Sequence, residues 1–310
     1  MEIQPSSSNP QPDPIQEIFF NRQGLRPGWR VLIAVAFYFA LNAGWIVLSR
    51  NFLKQSFQGL SPAVLIPGEA VQLLLVVLVT WIMSRIEHRN MGEYGLPLKS
   101  SRLLPLFARG TILWGFLPLS LLLLLLRTLH LFYFGTLVLH GGQVWYFAGM
   151  WGVFFTVVGL TEEYSVRGYL LYTLAEGIGF WPAATVLAAL FGMLHTFNRG
   201  ETRIGIIMTV FFAMFAAVTL RYLGSLWLAV GAHAGWDWGQ SYFYGVNDSG
   251  IQVPGHLLNP RIQGPDWLNG GSVGPEGSIL TLALLVVMAF LFVLIYKRSR
   301  EPVLVVTKSF

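Results

Sequence analysis

Eight apolar runs set the possibilities for this chain: 31–49, 63–84, 104–126, 144–161, 182–197, 204–221, 225–243 and 278–296. Each comes near the ~20 residues that cross ~30 Å of hydrocarbon at ~1.5 Å per helical residue. Only helices or closed barrels satisfy every backbone polar group inside a bilayer, and uninterrupted apolar runs of this length are the helical solution. The expected fold is therefore all-α, a polytopic membrane protein of eight transmembrane helices. Composition agrees: 54% of the 310 residues are hydrophobic and 11% are charged, against about 25% charged in soluble domains. There is no cysteine, which excludes disulfides, a thiol nucleophile and thiolate metal sites.

The 20 basic residues punctuate the apolar runs instead of clustering, so the net charge of +5 does not point to nucleic acid. With eight spans and the N-terminus inside, 14 of them fall in inside segments and six in outside ones, which predicts cytoplasmic termini. Glu2, Asp13 and Glu17 stand where a signal peptide would be basic, so none is expected. Residues 1–27, rich in Pro, Ser, Gln and Asn, read as a disordered cytoplasmic tail. A membrane domain follows over 28–300, and 301–310 form a second cytoplasmic tail. Within that domain 244–277 is a Gly/Pro/Asn-rich outer loop holding Asp248 and Asp266, read as a connector with a lid as the alternative. A bacterial cytoplasmic membrane is the expected location. No internal repeat is visible.

Charge at membrane depth costs about 2.5–3.5 kcal/mol per group on insertion scales, so it needs partners. Glu69, beside the Pro67-Gly68 break, reads as structurally paired. Glu162, Glu163, Arg167, His195, His233 and Asp237 form a set instead. Glu163 and Arg167 are spaced i,i+4, acid first, which suits an ion pair. Glu162 points about 100° away from Glu163 and is left free. If the fourth helix runs to Glu176, Gly177 to Gly179 stop it and Pro182 opens the next. Glu162 and His195 then each lie about 21 Å from the turn and share a depth. His233 and Asp237 share a face at i,i+4, and Phe191 packs beside His195. The site is thus expected between helices 4, 5 and 7, in a core spanning 150–243.

Two chemistries fit this set. Glu162 can act as general base on water. Alternatively Glu162, His195, His233 and Asp237 can hold a divalent metal, zinc being the candidate, with an open position for water. Both lead to hydrolysis. There is no H-E-x-x-H and no G-x-S-x-G.

The motifs Glu162-Glu163-x-x-x-Arg167, Phe191-x-x-x-His195 and His233-x-x-x-Asp237 resemble those of the CAAX protease and bacteriocin-processing family, also called CPBP or Abi, of intramembrane endopeptidases. The likeness extends over about 150–243. It implies that Glu162 activates water with help from His195, that His233 and position 237 stabilise the oxyanion, and that Glu163 and Arg167 brace the site. It also implies a membrane-embedded or lipidated peptide as substrate. Position 237 departs from the family pattern, which has Asn: an ionised Asp237 would repel an oxyanion, so it is protonated, orients His233 or binds metal. The alternatives to an endopeptidase are a non-catalytic scaffold or bacteriocin-immunity protein of the same fold, and a proton-coupled transporter, which the lack of a repeat disfavours.

Overall fold

The computed structural model describes residues 14–22, 24–50, 60–198 and 200–297. Residues 1–13 of the predicted disordered tail, and the whole of the predicted tail 301–310, lie outside them. From Pro14 the chain makes a short helix, Pro14–Phe19, and a tight antiparallel pair in which Phe20 faces Leu25. Trp29 Nε1 and Arg26 Nε donate to the carbonyls of Ile18 and Glu17, which ties this segment to the helix that follows.

Among the described residues the longer helices that follow are α1 (Pro27–Leu48), α2 (Pro62–Ile86), α3 (Leu103–Thr128), α4 (Gly142–Ile178), α5 (Phe180–His195), α6 (Arg203–Leu223), α7 (Trp227–Asp237, extended by a wider π turn at Trp238–Phe243) and α8 (Ile279–Lys297). Among the described residues, α1, α2, α3, α4, α6 and α8 are the six long and apolar enough to cross a membrane. The rod α5 is a shorter apolar helix of 16 residues. Local chemistry sets several ends. Pro27 and Pro62 open α1 and α2, where a missing N–H costs no helical bond. Thr202 accepts from Gly205 N at 3.0 Å to cap α6, and Gly224 ends it in the left-handed region.

Every residue of α7 from Trp227 to Asp237 is buried, and the helix packs chiefly between α3 and α4. Its closest approach is to α3. A Cβ on Gly231 would sit 2.2 Å from the Phe107 carbonyl oxygen, and one on Gly235 2.2 Å from that of Thr111. Small residues on one stripe allow this near-backbone contact, as in membrane helix pairs generally. Large apolar side chains such as Leu121, Leu124, Val286 and Phe290 point outward and stay exposed, as a lipid-facing surface requires.

The two ends of the bundle are tied differently. At one end Arg30 pairs with Glu87 at 2.9 Å and also with Glu176, which Arg89 contacts in turn. That network joins the start of α1 to the ends of α2 and α4. At the other end a small antiparallel sheet, absent from the sequence expectation, joins β1 (Phe132–Leu137) to β2 (Leu258–Ile262), with Phe132 opposite Ile262.

Candidate active site

The site begins in α4. The helix is regular to Ser165, then widens into a π turn over Val166–Leu170, with Gly168 at ψ −122°. A Cβ at Gly168 would meet the Tyr164 ring at 2.7 Å, so only glycine lets the helix kink here. Within the kink, Arg167 Nη1 lies 2.8 Å from Oε2 of Glu163 one turn earlier, and both side chains are sealed from solvent, at 2% and 0% exposed. Arg167 Nε donates to the Ala213 carbonyl of α6 at 3.2 Å, and its guanidinium lies 5.2 Å from the centre of the Phe191 ring in α5. The predicted ion pair thus also locks α4, α5 and α6 together.

Glu163 has a second duty that the spacing alone did not reveal. Its Oε1 lies 3.0 Å from His233 Nδ1. The other ring nitrogen, Nε2, is 3.6 Å from Glu162 Oε2 and 3.4 Å from Asp237 Oδ2. Carboxylates therefore stand at both edges of the imidazole, and Phe212 meets its face edge-on at 5.4 Å. The two glutamates differ sharply in access: the Glu163 side chain is fully buried, whereas that of Glu162 is 34% exposed.

His195 is the last residue of α5, and its Nδ1 is 2.8 Å from the Phe191 carbonyl oxygen. A carbonyl can only accept, so Nδ1 carries a proton, and in the neutral tautomer that this bond selects Nε2 is the acceptor. The Phe191 ring lies 4.5 Å away, centre to centre. Glu162 and His195 line one cavity, but among the described residues no ion pair or hydrogen bond joins them directly.

That cavity has a volume of about 960 Å³ and takes walls from α1, α2, α4, α5, α6, α7 and α8. It also contains groups that the sequence reading did not assign to the site. Glu69 of α2 and Thr161 of α4 line this space too, and the Thr161 hydroxyl donates to the Val157 carbonyl at 2.9 Å. Tyr38 of α1 donates to Gln72 Oε1 at 2.8 Å. Asp248 and Glu276, from the segment between α7 and α8, reach the same space. Ser241 Oγ donates to Asp248 Oδ2 at 2.8 Å, and Ser249 N donates to Glu276 Oε1 at 2.5 Å. Burial pushes the Asp248 carboxyl up to about 6, partly opposed by the Ser241 hydrogen bond and His233, while the nearby Glu162 raises it further. Burial, reinforced by Asp248, holds Glu276 well above the usual carboxylate range. The only sequence hint for these two was the presence of acids in a Gly-rich loop next to the polar end of α7, Gln240-Ser241.

Among the described residues no group of three or more His, Cys, Asp or Glu side chains is arranged to hold a metal ion. His195 Nδ1 is committed to a backbone carbonyl and His233 to carboxylates on both edges. The four-residue metal set does not fit this arrangement.

Residues 143–239 match the family described as Type II CAAX prenyl endopeptidase Rce1-like. The family resemblance carried by the three motifs is borne out over that segment. The match contains Glu162, Glu163, Arg167, His195, His233 and Asp237, and excludes Glu69, Asp248 and Glu276. No curated protein and no solved structure matches the chain.

Proposed function

We propose that this membrane protein is an intramembrane endopeptidase that hydrolyses a peptide bond of a membrane-associated or lipidated protein or peptide. The observation that carries the reading is the division of labour between adjacent carboxylates. Glu163 is consumed by Arg167 and His233, whereas Glu162 opens into the cavity.

In the proposed reaction Glu162 takes a proton from water as the oxygen attacks the scissile carbonyl. His195, whose Nε2 is left as an acceptor by the Nδ1–Phe191 bond, assists that transfer. His233, held by Glu163, presents Nε2–H to the developing oxyanion. Asp237 sits 3.4 Å from the same nitrogen and acts by orienting it, which an Asp can do where direct donation to the oxyanion needs an Asn. Glu162 then returns its proton to the departing nitrogen, the C–N bond breaks, and a carboxylic acid, which loses its remaining proton to solvent, and an amine leave.

Counting α5 and α7 as crossings gives eight spans with cytoplasmic termini. The grouping of ends supports that count. Arg30, Glu87 and Glu176 meet at one face, and Leu226 N donates to Gly95 O at 2.8 Å, joining two segments predicted to be inside. The paired strands β1 and β2 come from two segments predicted to be outside.

The test is cleavage of an acylated peptide library by purified protein, with Glu162→Ala and His195→Ala alongside. Cleavage lost in both supports the reading, and cleavage retained in Glu162→Ala removes Glu162 as the base. Activity abolished by a chelator and restored by zinc would return the metal mechanism. Peptide binding with no cleavage at all would assign a non-catalytic scaffold.

A further inference from the structure

The first described segment, Pro14–Leu25, takes no part in the cavity. It is nonetheless a folded unit. Its short helix, Pro14–Phe19, turns back through the pairing of Phe20 with Leu25 and Asn21 with Gly24, and Arg26 N donates to the Phe19 carbonyl at 2.9 Å. Trp29, in the first turn of α1, pins it. The indole Nε1 donates to the Ile18 carbonyl at 3.0 Å, and the ring lies 4.9 Å from that of Phe19. Arg26 Nε holds the Glu17 carbonyl at 2.8 Å. The unit is thus fastened beside the first turn of a helix long and apolar enough to cross a membrane. That is the level of headgroups, where Trp side chains concentrate.

The surface of the unit matches this level. Ile18, Phe19 and Phe20 are consecutive large apolar side chains, 58%, 38% and 52% exposed. Arg22, in the turn of the hairpin, and Arg26 are exposed beside them. Among the described residues no ion pair neutralises either arginine. The neighbouring charges are balanced, because Arg30 and Arg89 engage Glu87 and Glu176. Glu17 is the one acid between Pro14 and Arg26. Apolar side chains next to unneutralised cations fit an anionic lipid surface, with acyl chains for the first and phosphates for the second. A patch stacked on Trp29 already meets the bilayer edge, so a soluble partner would have to displace lipid to reach it.

The helix that carries this unit is also a cavity wall. Of the 22 residues of α1 only Ala34 is buried, yet Ala34, Val35, Tyr38 and Phe39 line the cavity. A span with so little packing takes its height and tilt largely from anchors at its ends.

We propose that Pro14–Arg26 is an interfacial anchor for anionic lipid, with Ile18, Phe19 and Phe20 entering between acyl chains and Arg22 and Arg26 meeting lipid phosphates, and that it sets the height of α1 at the cavity. The proposal stands independently of the endopeptidase reading.

The test exploits the absence of cysteine. Phe20→Cys gives the full-length protein one nitroxide label, itself apolar, and Leu32→Cys places a second, separate label on the exposed side of α1. The protein is reconstituted in phosphatidylcholine vesicles with and without one-third phosphatidylglycerol. Depth is read by electron paramagnetic resonance as the ratio of accessibility to oxygen and to an aqueous nickel chelate. At position 20 the ratio should rise about fivefold or more with phosphatidylglycerol, the effect of about one arginine at an anionic surface. Arg22→Gln leaves the bonds from Trp29 and Arg26 in place and should lower the ratio several-fold in those vesicles, and Arg22→Lys should restore it. Arg22→Gln combined with Arg26→Gln should bring it to the phosphatidylcholine value. The label at position 32 should shift in depth with the same variants. A position-20 label equally deep in both lipids, one that stays in water in both, or a depth unmoved by Arg22→Gln overturns the anchor. A response at position 20 with none at position 32 overturns its hold on α1.

Discussion

His233 Nδ1 lies 3.0 Å from Glu163 Oε1, so the buried second glutamate, and not the accessible first, fixes the imidazole of α7. The same carboxylate receives Arg167 on its other oxygen at 2.8 Å. One anion thereby sets the register between α4 and α7 and carries the link from α4 to Arg167, which extends it to α5 and α6. Adjacent residues of one type have become a buried group and a cavity-facing one because successive helix positions point about 100° apart.

The first prediction separates the two glutamates. Glu162→Gln is expected to lower kcat by about 10²–10⁴-fold, the usual span for a lost general base. Its thermal midpoint in detergent should stay close to wild type, because the carboxylate is one-third exposed and its ion-pair contact is with His233 alone. Glu163→Gln should show a large loss of thermal stability. A Glu162→Gln protein with full activity, or a Glu163→Gln protein with a wild-type midpoint, contradicts the assignment.

Removing one partner of a buried pair leaves an uncompensated charge and costs about 3–5 kcal/mol, whereas removing both with apolar replacements costs much less. Glu163→Gln and Arg167→Met should therefore each destabilise strongly, and the double variant by clearly less than their sum. A double-mutant cycle on chemical unfolding in mixed micelles measures this, and strict additivity would refute the coupling.

The approach of α7 to α3 predicts intolerance of a single methyl group. Gly231→Ala places Cβ 2.2 Å from the Phe107 carbonyl oxygen, a backbone atom that cannot swing away. The cost is at least the 1–3 kcal/mol or so of overpacking, and the yield of folded protein should fall. Gly149→Ala on α4, with nothing within 4 Å, is the control and should behave as wild type. Size-exclusion profiles of the two decide the matter.

Asp248 predicts a pH effect with a definite sign. Its carboxyl, raised by burial to about 6, holds a proton in the folded protein that the unfolded chain releases near 3.8. The folded state binds more protons between those values, so this contribution to stability is complete below about pH 4 and is lost as pH rises through about 6. Glu276, Asp237, Glu162 and His233 face the same region. A thermal-midpoint profile over pH 4–7 should therefore slope less steeply in Asp248→Asn than in wild type. Identical slopes would show that Asp248 does not titrate there.

Much of the site was readable before the fold. The i,i+4 spacing of Glu163 and Arg167 closes into an ion pair, and the stop at Gly177 to Gly179 lies where α4 ends, Gly179 having φ +84°. These are one-helix or one-turn relationships, fixed by local geometry. The depth argument brought Glu162 and His195 to one cavity but not into contact, because rise per residue gives height and not azimuth or tilt. The pairing of β1 with β2 escaped the sequence reading, since six and five residues in separate loops carry too little periodicity to register against each other. Glu69 and Glu276 escaped because each is remote in sequence from the three motifs, and Asp248 because it lies in an irregular segment where helical spacing gives no direction.

By itself the sequence determined that this chain is a bundle of apolar helices with a few costly charges inside, because hydropathy, helix spacing and glycine stops are properties of short segments. It also paired Glu163 with Arg167, since that contact is made within one helix. Only the tertiary structure decided that Glu163 also holds His233, that α7 is wholly enclosed, and that five carboxylates from four separate segments face one cavity. Those facts depend on how helices rotate and close on one another, and a rotation is set by packing between segments, to which no single segment carries the answer.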